Sequence, residues 1–251
     1  MRNVGIEFPA RGQMAFYDLG APPSLGPGQA LLETLYSGIT NGTERHGLMG
    51  DHGWDHYPGR HGYQHVCRVV ALGEGTSSLA EGDVVFYGDY VGHRGRHVVQ
   101  IDGAQPLVVR LEPELDAEEC ALLGVAGVAM RHVRRTRVSA GQRVLVLGVG
   151  PIGIFVAQCA RAVGAHVTVG EMVDRRLQAA SETGAHCVVD MREDGAWQEL
   201  SAGGRYQAIF DGAGYDRFFW DIHEHGLIDH GCVIGAISVR SEAHFPWAML
   251  H

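Results

Sequence analysis

Nowhere in the 251-residue chain does an apolar run reach the roughly 20 residues that a membrane-spanning helix needs. Positive charge is in deficit: 20 Lys and Arg against 29 Asp and Glu leave a net charge of −9. Such a chain has no electrostatic footprint for nucleic acid or for an anionic membrane surface. Paired cysteines are missing as well. Cys67, Cys120, Cys159, Cys187 and Cys232 are scattered, odd in number, and never at Cys-x-x-Cys spacing. That argues against a disulfide framework and suits a reducing compartment. The first residues, MRNVGIEFPARGQMAF, show no apolar core followed by a small-residue cleavage site, so a cytoplasmic protein is expected. There is no internal repeat and no Ser/Pro-rich linker. The 36 glycines follow no period and punctuate short elements.

What remains is an ordinary globular composition, 45% hydrophobic and 20% charged, with length enough for one large domain or two small ones. Two rhythms divide it. Residues 1–114 read as short strands and frequent turns: QALLETLYS (29–37), HVCRVVALG (65–73), DVVFYG (83–88) and GRHVVQI (95–101) are β-branched and apolar runs between turn-rich stretches. This predicts a small all-β, barrel-like domain. Residues 115–251 alternate strand and helix. Asp116 with Glu119 reads as a capping box opening a helix that runs from Ala117 to Arg135. Strands then follow at 143–148, 165–171, 186–190, 207–214 and 231–236, with helices at 151–164 and 174–184. Fully apolar strands alternating with helices predict a buried parallel sheet, an α/β doubly wound fold.

The segment LGVGPIG places Gly148, Gly150 and Gly153 at G-x-G-x-x-G spacing, between a strand and a helix that opens with Pro151 and Ile152. Each glycine has a job. Gly148 allows the tight turn, Gly150 lets backbone approach a pyrophosphate, and Gly153 lets helix pack on strand. The helix start offers unpaired N–H groups and a positive dipole end to phosphate. Glu171 ends the next strand. A carboxylate there accepts from ribose hydroxyls and repels a 2′-phosphate, which favours NAD over NADP. Arg175 and Arg176 follow it, and an arginine at this point can instead hold that extra phosphate.

Taken together, SGITNGTE (37–44), PGRHGYQHVCRVVALGEG (58–75), AEGDVVF (80–86), GQRVLVLGVGPIGIFVAQCARAVGA (141–165) and DGAG (211–214) resemble the medium-chain dehydrogenase/reductase superfamily, the relatives of zinc alcohol dehydrogenase. The likeness covers nearly the whole chain. It implies a GroES-like β-barrel domain followed by a Rossmann domain, an NAD-linked hydride transfer, and further cofactor contacts at Asp211 and Gly235. Three departures stand out. The catalytic zinc cysteine is replaced within Ile39-Thr40-Asn41. The zinc histidine and its neighbouring acid are Tyr63 and Gln64. No cysteine lies between Val69 and Glu119, so the four-cysteine structural zinc lobe is missing. Phenol and amide groups do not make a tetrahedral zinc site, so no metal is expected. In this the chain is similar to a zinc-ligand-lacking branch that includes the bacteriochlorophyllide hydroxyethyl dehydrogenase.

Without a metal, hydrogen-bond donors must polarise the substrate oxygen. Tyr63 is the first candidate, either as a donor and proton relay or as an aromatic pocket wall. Thr40 and Asn41 lie on the facing loop, and Glu44 is a proton acceptor or a carboxylate that ties that loop. Trp54, Tyr57, Tyr87 and Tyr90 either line a pocket or fill the barrel core. His46, His52, His56, His61, His65, His93 and His97 crowd the first domain and read as surface and loop histidines, since none pairs at ligand spacing. The partner expected is a small alcohol or ketone. The alternatives are an NADPH-dependent quinone or enone reductase, and a dinucleotide-binding protein without catalysis. Strand 231–236 is expected at an open sheet edge, covered by a second copy in a dimer or by residues 243–250; the chain may equally be part of a longer one.

Overall fold

The computed structural model describes residues 3–51, 56–101, 107–238 and 242–250. His52 and Trp54 lie outside them. The chain divides into two units, Met1–Gly124 and Val125–His251.

The first unit opens with an antiparallel pair, β1 (Val4–Glu7) and β2 (Ala15–Asp18). Its main sheet contains β3 (Gln29–Ser37), β4 (His65–Leu72), β5 (Val84–Tyr87), β6 (Arg96–Gln100) and β7 (Val108–Arg110). They are antiparallel throughout, in the order β6-β3-β4-β5-β7. Alternate residues supply the core: Ala30 and Leu32 from β3 meet Cys67 and Val69 from β4, with Val85, Tyr87 and Val99. The period of two puts this set on one face.

The segment expected as a loop after β3 is a helix, α1 (Asn41–Met49). Its sequence, NGTERHGLM, has two glycines and only two large apolar residues, so neither propensity nor periodicity announces it. Local bonds hold it instead. Glu44 reaches back to accept the Thr40 N–H at 2.6 Å, and Gly50 closes the C-terminus in the left-handed region at φ 68°.

The expected helix from 117 to 135 is broken in two. Asp116 caps α2 (Ala117–Cys120) by accepting from the N–H groups of Glu118 and Glu119, at 2.7 and 3.1 Å. After a turn at 121–122, α3 (Leu123–Arg135) begins. Cys120 and Ala121 pack on Val66 of β4. That packing belongs to the β unit, so the division falls after residue 124 rather than 114.

The second unit is a parallel sheet of β8 (Arg143–Leu147), β9 (His166–Glu171), β10 (Cys187–Asp190), β11 (Tyr206–Asp211) and β12 (Ile228–Ala236), in the order β10-β9-β8-β11-β12. Helices α4 (Pro151–Ala162), α5 (Asp174–Glu182), α6 (Ala196–Ala202) and α7 (Phe218–Glu224) connect its strands. Two cores cover its two faces. Val144 and Val146 join Val156, Ala160 and Ala180 on one side, whereas Leu145 and Leu147 join Leu200, Phe218 and Ile222 on the other. This is the doubly wound Rossmann arrangement.

Strand β12 is an edge, pairing only with β11 among the described residues. The chain's last residues do fold back, but against a helix: Phe245 meets Phe219 of α7 at 6.1 Å between ring centroids, and Met249 packs on the Leu145–Phe218 core. No helix among the described residues is long and apolar enough to cross a membrane.

Two helical glycines give opposite expectations. A side chain on Gly153 would collide with the carbonyl oxygen of Gly148, whereas one on Gly127 meets nothing within 4 Å. Gly127→Ala should raise stability by about 0.5–1 kcal/mol through helix propensity. Gly153→Ala should lower it by about 1–3 kcal/mol, because the backbone clash outweighs that gain. Thermal unfolding of the two variants checks the pair.

Candidate functional site

Two constellations carry chemistry, one in each unit. In the second unit β8 ends at Leu147, and Gly148 turns the chain at φ 84°. A Cβ on Gly148 would come within 2.6 Å of the Ala213 nitrogen, so the turn and the loop after β11 are pressed together. Gly150 is the N-cap of α4 and Pro151 its first residue. A Cβ on Gly150 would meet nothing within 4 Å, so this glycine is not required by the protein's own packing. The space above it lies where the N–H groups of Ile152 and Gly153 have no partner within the helix. A pyrophosphate fits that chemistry.

Glu171 is buried, and its carboxylate is tied to the same turn. Oε2 accepts from Val149 N at 2.8 Å, and Oε1 from Met172 N and Val173 N at 2.7 and 3.1 Å. Arg176 stands 3.6 Å away. Glu171 therefore fastens the glycine loop to the end of β9 as well as lining the cleft beside it. That cleft, about 260 Å³, is bordered by Gly148, Glu171, Met172, Met191, Trp197 and Tyr215. The four large side chains went unnoticed in the sequence; only Met172, immediately after the strand-ending acid, carried a positional signal.

Two further residues expected as cofactor contacts are also engaged by the protein itself. Asp211 is fully buried, and its carboxylate accepts from Gly214 N at 2.8 Å and Ser238 Oγ at 3.2 Å. It anchors the loops after β11 and β12. Gly235 is buried, and a side chain there would strike the Phe210 ring at 2.5 Å, so its role is packing.

In the first unit the residues around Tyr63 form a hydrogen-bonded set. Glu44 Oε1 holds the Thr40 N–H, and Glu44 Oε2 lies 2.8 Å from His93 Nε2. His93 Nδ1 lies 2.5 Å from Ser37 Oγ. Backbone bonds fix His93 beside the Gly62–Tyr63 segment: His93 N donates to His61 O at 2.8 Å and Gly92 N to Gly62 O at 3.0 Å. Gly62 sits at φ 121°, and a Cβ on it would lie 2.7 Å from His93 N. Thr40 is buried with no geometric partner for its hydroxyl among the described residues. Asn41 is exposed at the first turn of α1, outside this set.

Burial raises the Tyr63 pKa; Thr40 acts against it, and the charges of Tyr90 and Glu44 act with it. For Glu44 the largest influence, burial, is upward, but His93 and the Thr40 N–H together outweigh it and hold the carboxyl below its usual range. Tyr90 is mostly exposed, 5.2 Å from the Tyr63 ring. Tyr87 is sheet core, and Tyr57 braces α1 by donating to Leu48 O at 3.0 Å. The surface reading of the histidines fails for three of them: His65, His93 and His97 are buried. His61 stacks on Phe8 at 5.1 Å.

These geometries agree with what the chain is similar to. A family model described as zinc-binding dehydrogenase matches residues 151–250. An alcohol dehydrogenase of Rhizobium meliloti is 29% identical over 218 residues, covering 74% of this chain and 63% of that protein. A D-arabitol-phosphate dehydrogenase of Enterococcus avium is 26% identical over 245 residues, covering 85% and 69%. The solved structure of 2R,3R-butanediol dehydrogenase from Bacillus subtilis superposes with a TM-score of 0.80 at 22% identity, over 97% of this chain and 80% of that one. In sequence and fold the chain is thus similar to the medium-chain dehydrogenase/reductase superfamily. Another structure of the same fold, CAD from Helicobacter pylori complexed with NADP(H), gives a TM-score of 0.75 at 19% identity, over 95% and 77%. The chain spans 63% of the length of the first of these relatives, less than two thirds.

That likeness makes a zinc site worth testing against the side chains. The segment matched by the zinc-binding model lies wholly in the second unit. In the first unit, the positions that resemble the ligand loop and strand hold Ile39, Thr40, Asn41, Tyr63 and Gln64. Among the described residues no three His, Cys, Asp or Glu side chains gather as a metal site. Zinc takes thiolate, imidazole or carboxylate donors, and these residues do not fit it.

The buried histidines set an acid limit on the fold. Burial, then the neighbouring His93, pushes His65 down to about 4; burial, then His65, pushes His97 to about 3. In the unfolded chain both protonate near the ordinary 6.5. The unfolded state therefore binds more protons as pH falls below that value. Stability is fully present above about pH 6.5 and is lost progressively down to about pH 3. Urea unfolding at about pH 4.5 and 7.5 should show this loss, and His97→Phe should shrink the difference between the two.

Proposed function

We propose that this chain binds NAD(H) and transfers a hydride between it and a small alcohol or the corresponding ketone, without a catalytic zinc. The observation that carries this reading is the open space over Gly150 at the start of α4, with Glu171 beside it. The buried Thr40–Glu44–His93 set in the first unit supports it by supplying polar groups where metal donors are lacking. Gly148, Gly150, Pro151, Ile152 and Gly153 form the phosphate turn in this reading, and Glu171 meets the adenosine ribose. The bound nicotinamide supplies the hydride chemistry. Bound there, the nicotinamide would accept the carbinol hydride as an alcohol is oxidised, leaving the hydroxyl proton for this chain's residues to take; reduction would reverse both. Tyr63 donates a hydrogen bond to the substrate oxygen and exchanges that proton, and the Thr40 hydroxyl offers a second polar contact. A homodimer in the cytoplasm belongs to the same reading, with the edge of β12 as the seam.

Arg176, 3.6 Å from Glu171, favours a second reading in which the 2′-phosphate of NADPH is held and a quinone or enone is reduced. Fluorescence titration with NADH and NADPH separates the two. Glu171→Ser should weaken NADH about tenfold or more and narrow its advantage over NADPH, since it removes hydrogen bonds to a charged acceptor. A wild-type preference for NADPH would overturn the role given to Glu171. Gly150→Ala should cost no more than about 1 kcal/mol of stability yet weaken either cofactor at least about tenfold. Unimpaired binding would remove the phosphate turn from this position. The purified protein should also carry no stoichiometric zinc and keep its activity under chelation; one firmly held zinc atom would defeat metal independence.

A further inference from the structure

We infer that His93, clamped between Glu44 and Ser37, is a positioning residue for the proton step, whose own protonation sets the charge facing the Tyr63 hydroxyl. The inference rests on the proposed proton exchange at Tyr63, but its physical core is a coupling between two side chains that needs no substrate to be seen.

The geometry fixes what each atom of the clamp can do. Ionised Glu44 only accepts, so His93 Nε2 carries its hydrogen whether the ring is neutral or charged. Ser37 is different, because a hydroxyl both donates and accepts. It donates to Nδ1 of a neutral ring and accepts from Nδ1 of a charged one, at the same 2.5 Å contact. His93 can therefore gain or lose a proton without losing a hydrogen bond. A buried group rarely has that freedom, because a lost partner costs the desolvation of the atom left behind.

The surroundings narrow the choice of proton holder. His65 of β4 faces His93 at 6.2 Å between ring centroids, and His97 of β6 lies 5.6 Å beyond it. Neither has a geometric hydrogen-bond partner on either ring nitrogen among the described residues. Burial keeps both neutral down to about pH 4 and about pH 3. The other charged neighbours are Arg94, adjacent in the chain, and His61, which acts on Glu44. The sequence contains no lysine. Within this cluster His93 is the imidazole with partners on both sides.

The consequence reaches Tyr63 through Glu44. The Glu44 charge makes the phenol harder to ionise. A proton on His93 neutralises the Glu44–His93 pair and relieves that opposition; loss of the proton restores it. The phenol then gives up its hydrogen more readily when His93 is charged, and takes one back more readily when it is neutral.

The test uses the whole protein, labelled at histidine and tyrosine. In a wild-type NMR titration the His93 ring nitrogens should change with pH, and the Tyr63 ring signals should move in the same step. In His93→Gln, which keeps an amide between Glu44 and Ser37, the Tyr63 step should vanish while the thermal midpoint and NADH affinity hold. With an alcohol that the protein turns over, the same variant should lose about tenfold in kcat and one ionisation from its pH profile, with KM little changed. Tyr63 signals that do not follow His93, or a variant that keeps the wild-type profile, overturn the inference. Coupled signals in a protein that oxidises no alcohol would uphold the coupling and defeat the proposed function instead.

Discussion

Three segments of the second unit converge on the carbonyl oxygen of Gly148. A Cβ on Gly153, one turn into α4, would collide with it, and so would a Cβ on Gly212, just after β11. Everything in the nucleotide cleft follows from that crowding. It brings the start of α4 down onto the end of β8 and draws the loop after β11 alongside. The glycine spacing is thus dictated first by backbone meeting backbone. Ligand approach is a second demand, and it falls on Gly150 alone, whose missing side chain leaves space that the protein does not fill. Glu171 then fastens the turn from the far side through Val149 N. One carboxylate both latches the loop and lines the cleft beside it.

The first unit solves a different problem, that of keeping polar groups buried. Glu44, Thr40 and His93 are all buried. An isolated ionised carboxylate at that depth would be costly, and Glu44 tolerates it because both its oxygens are engaged. The same bond between Glu44 and Thr40 starts α1, so helix and site depend on one interaction. Where such partners are lacking, as at His65 and His97, the side chains stay neutral instead. Neutral buried histidines and a paired carboxylate are two answers to the same desolvation penalty.

These differences also decide what the sequence made legible. The parallel sheet could be read because its strands are apolar throughout and its helices carry local signals at Pro151 and near Gly164 and Gly184. Helix α1 could not, because its stability comes from Glu44 and from tertiary contact rather than from an apolar stripe. β1 and β2 are four residues each, too short for a period to show. His93 escaped notice as a site residue because its two partners are 49 and 56 positions away in the chain. Spacing rules see neighbours along a helix or strand, whereas this contact joins the end of β3, helix α1 and the loop before β6. Asp211 was expected from the resemblance of DGAG alone, and its bonds to Gly214 N and Ser238 Oγ, which tie two loops together, had no sequence signal.

Gln64 is fitted by the packing around it and does not stand as a single isolated position. The residue is fully buried. A side chain on Gly38 would lie 2.9 Å from its Nε2, and one on Gly124 would lie 2.8 Å from its Oε1. Gly124, at the start of α3, has thus made room for this amide; Gly38, just after β3, is held to glycine first by the carbonyl oxygen of Ala121, which a Cβ there would strike. Gly124 also gives way to the Tyr63 ring, whose Cε2 would lie 2.9 Å from a Cβ there. A glutamate returned to position 64 would place an ionised group in a space shaped for a neutral one, at a cost that only a bound cation or a proton could offset. Tyr63, Gln64 and the two glycines therefore form one packed arrangement. It sets a phenol at this end of β4, in the same unit as a buried, hydrogen-bonded carboxylate.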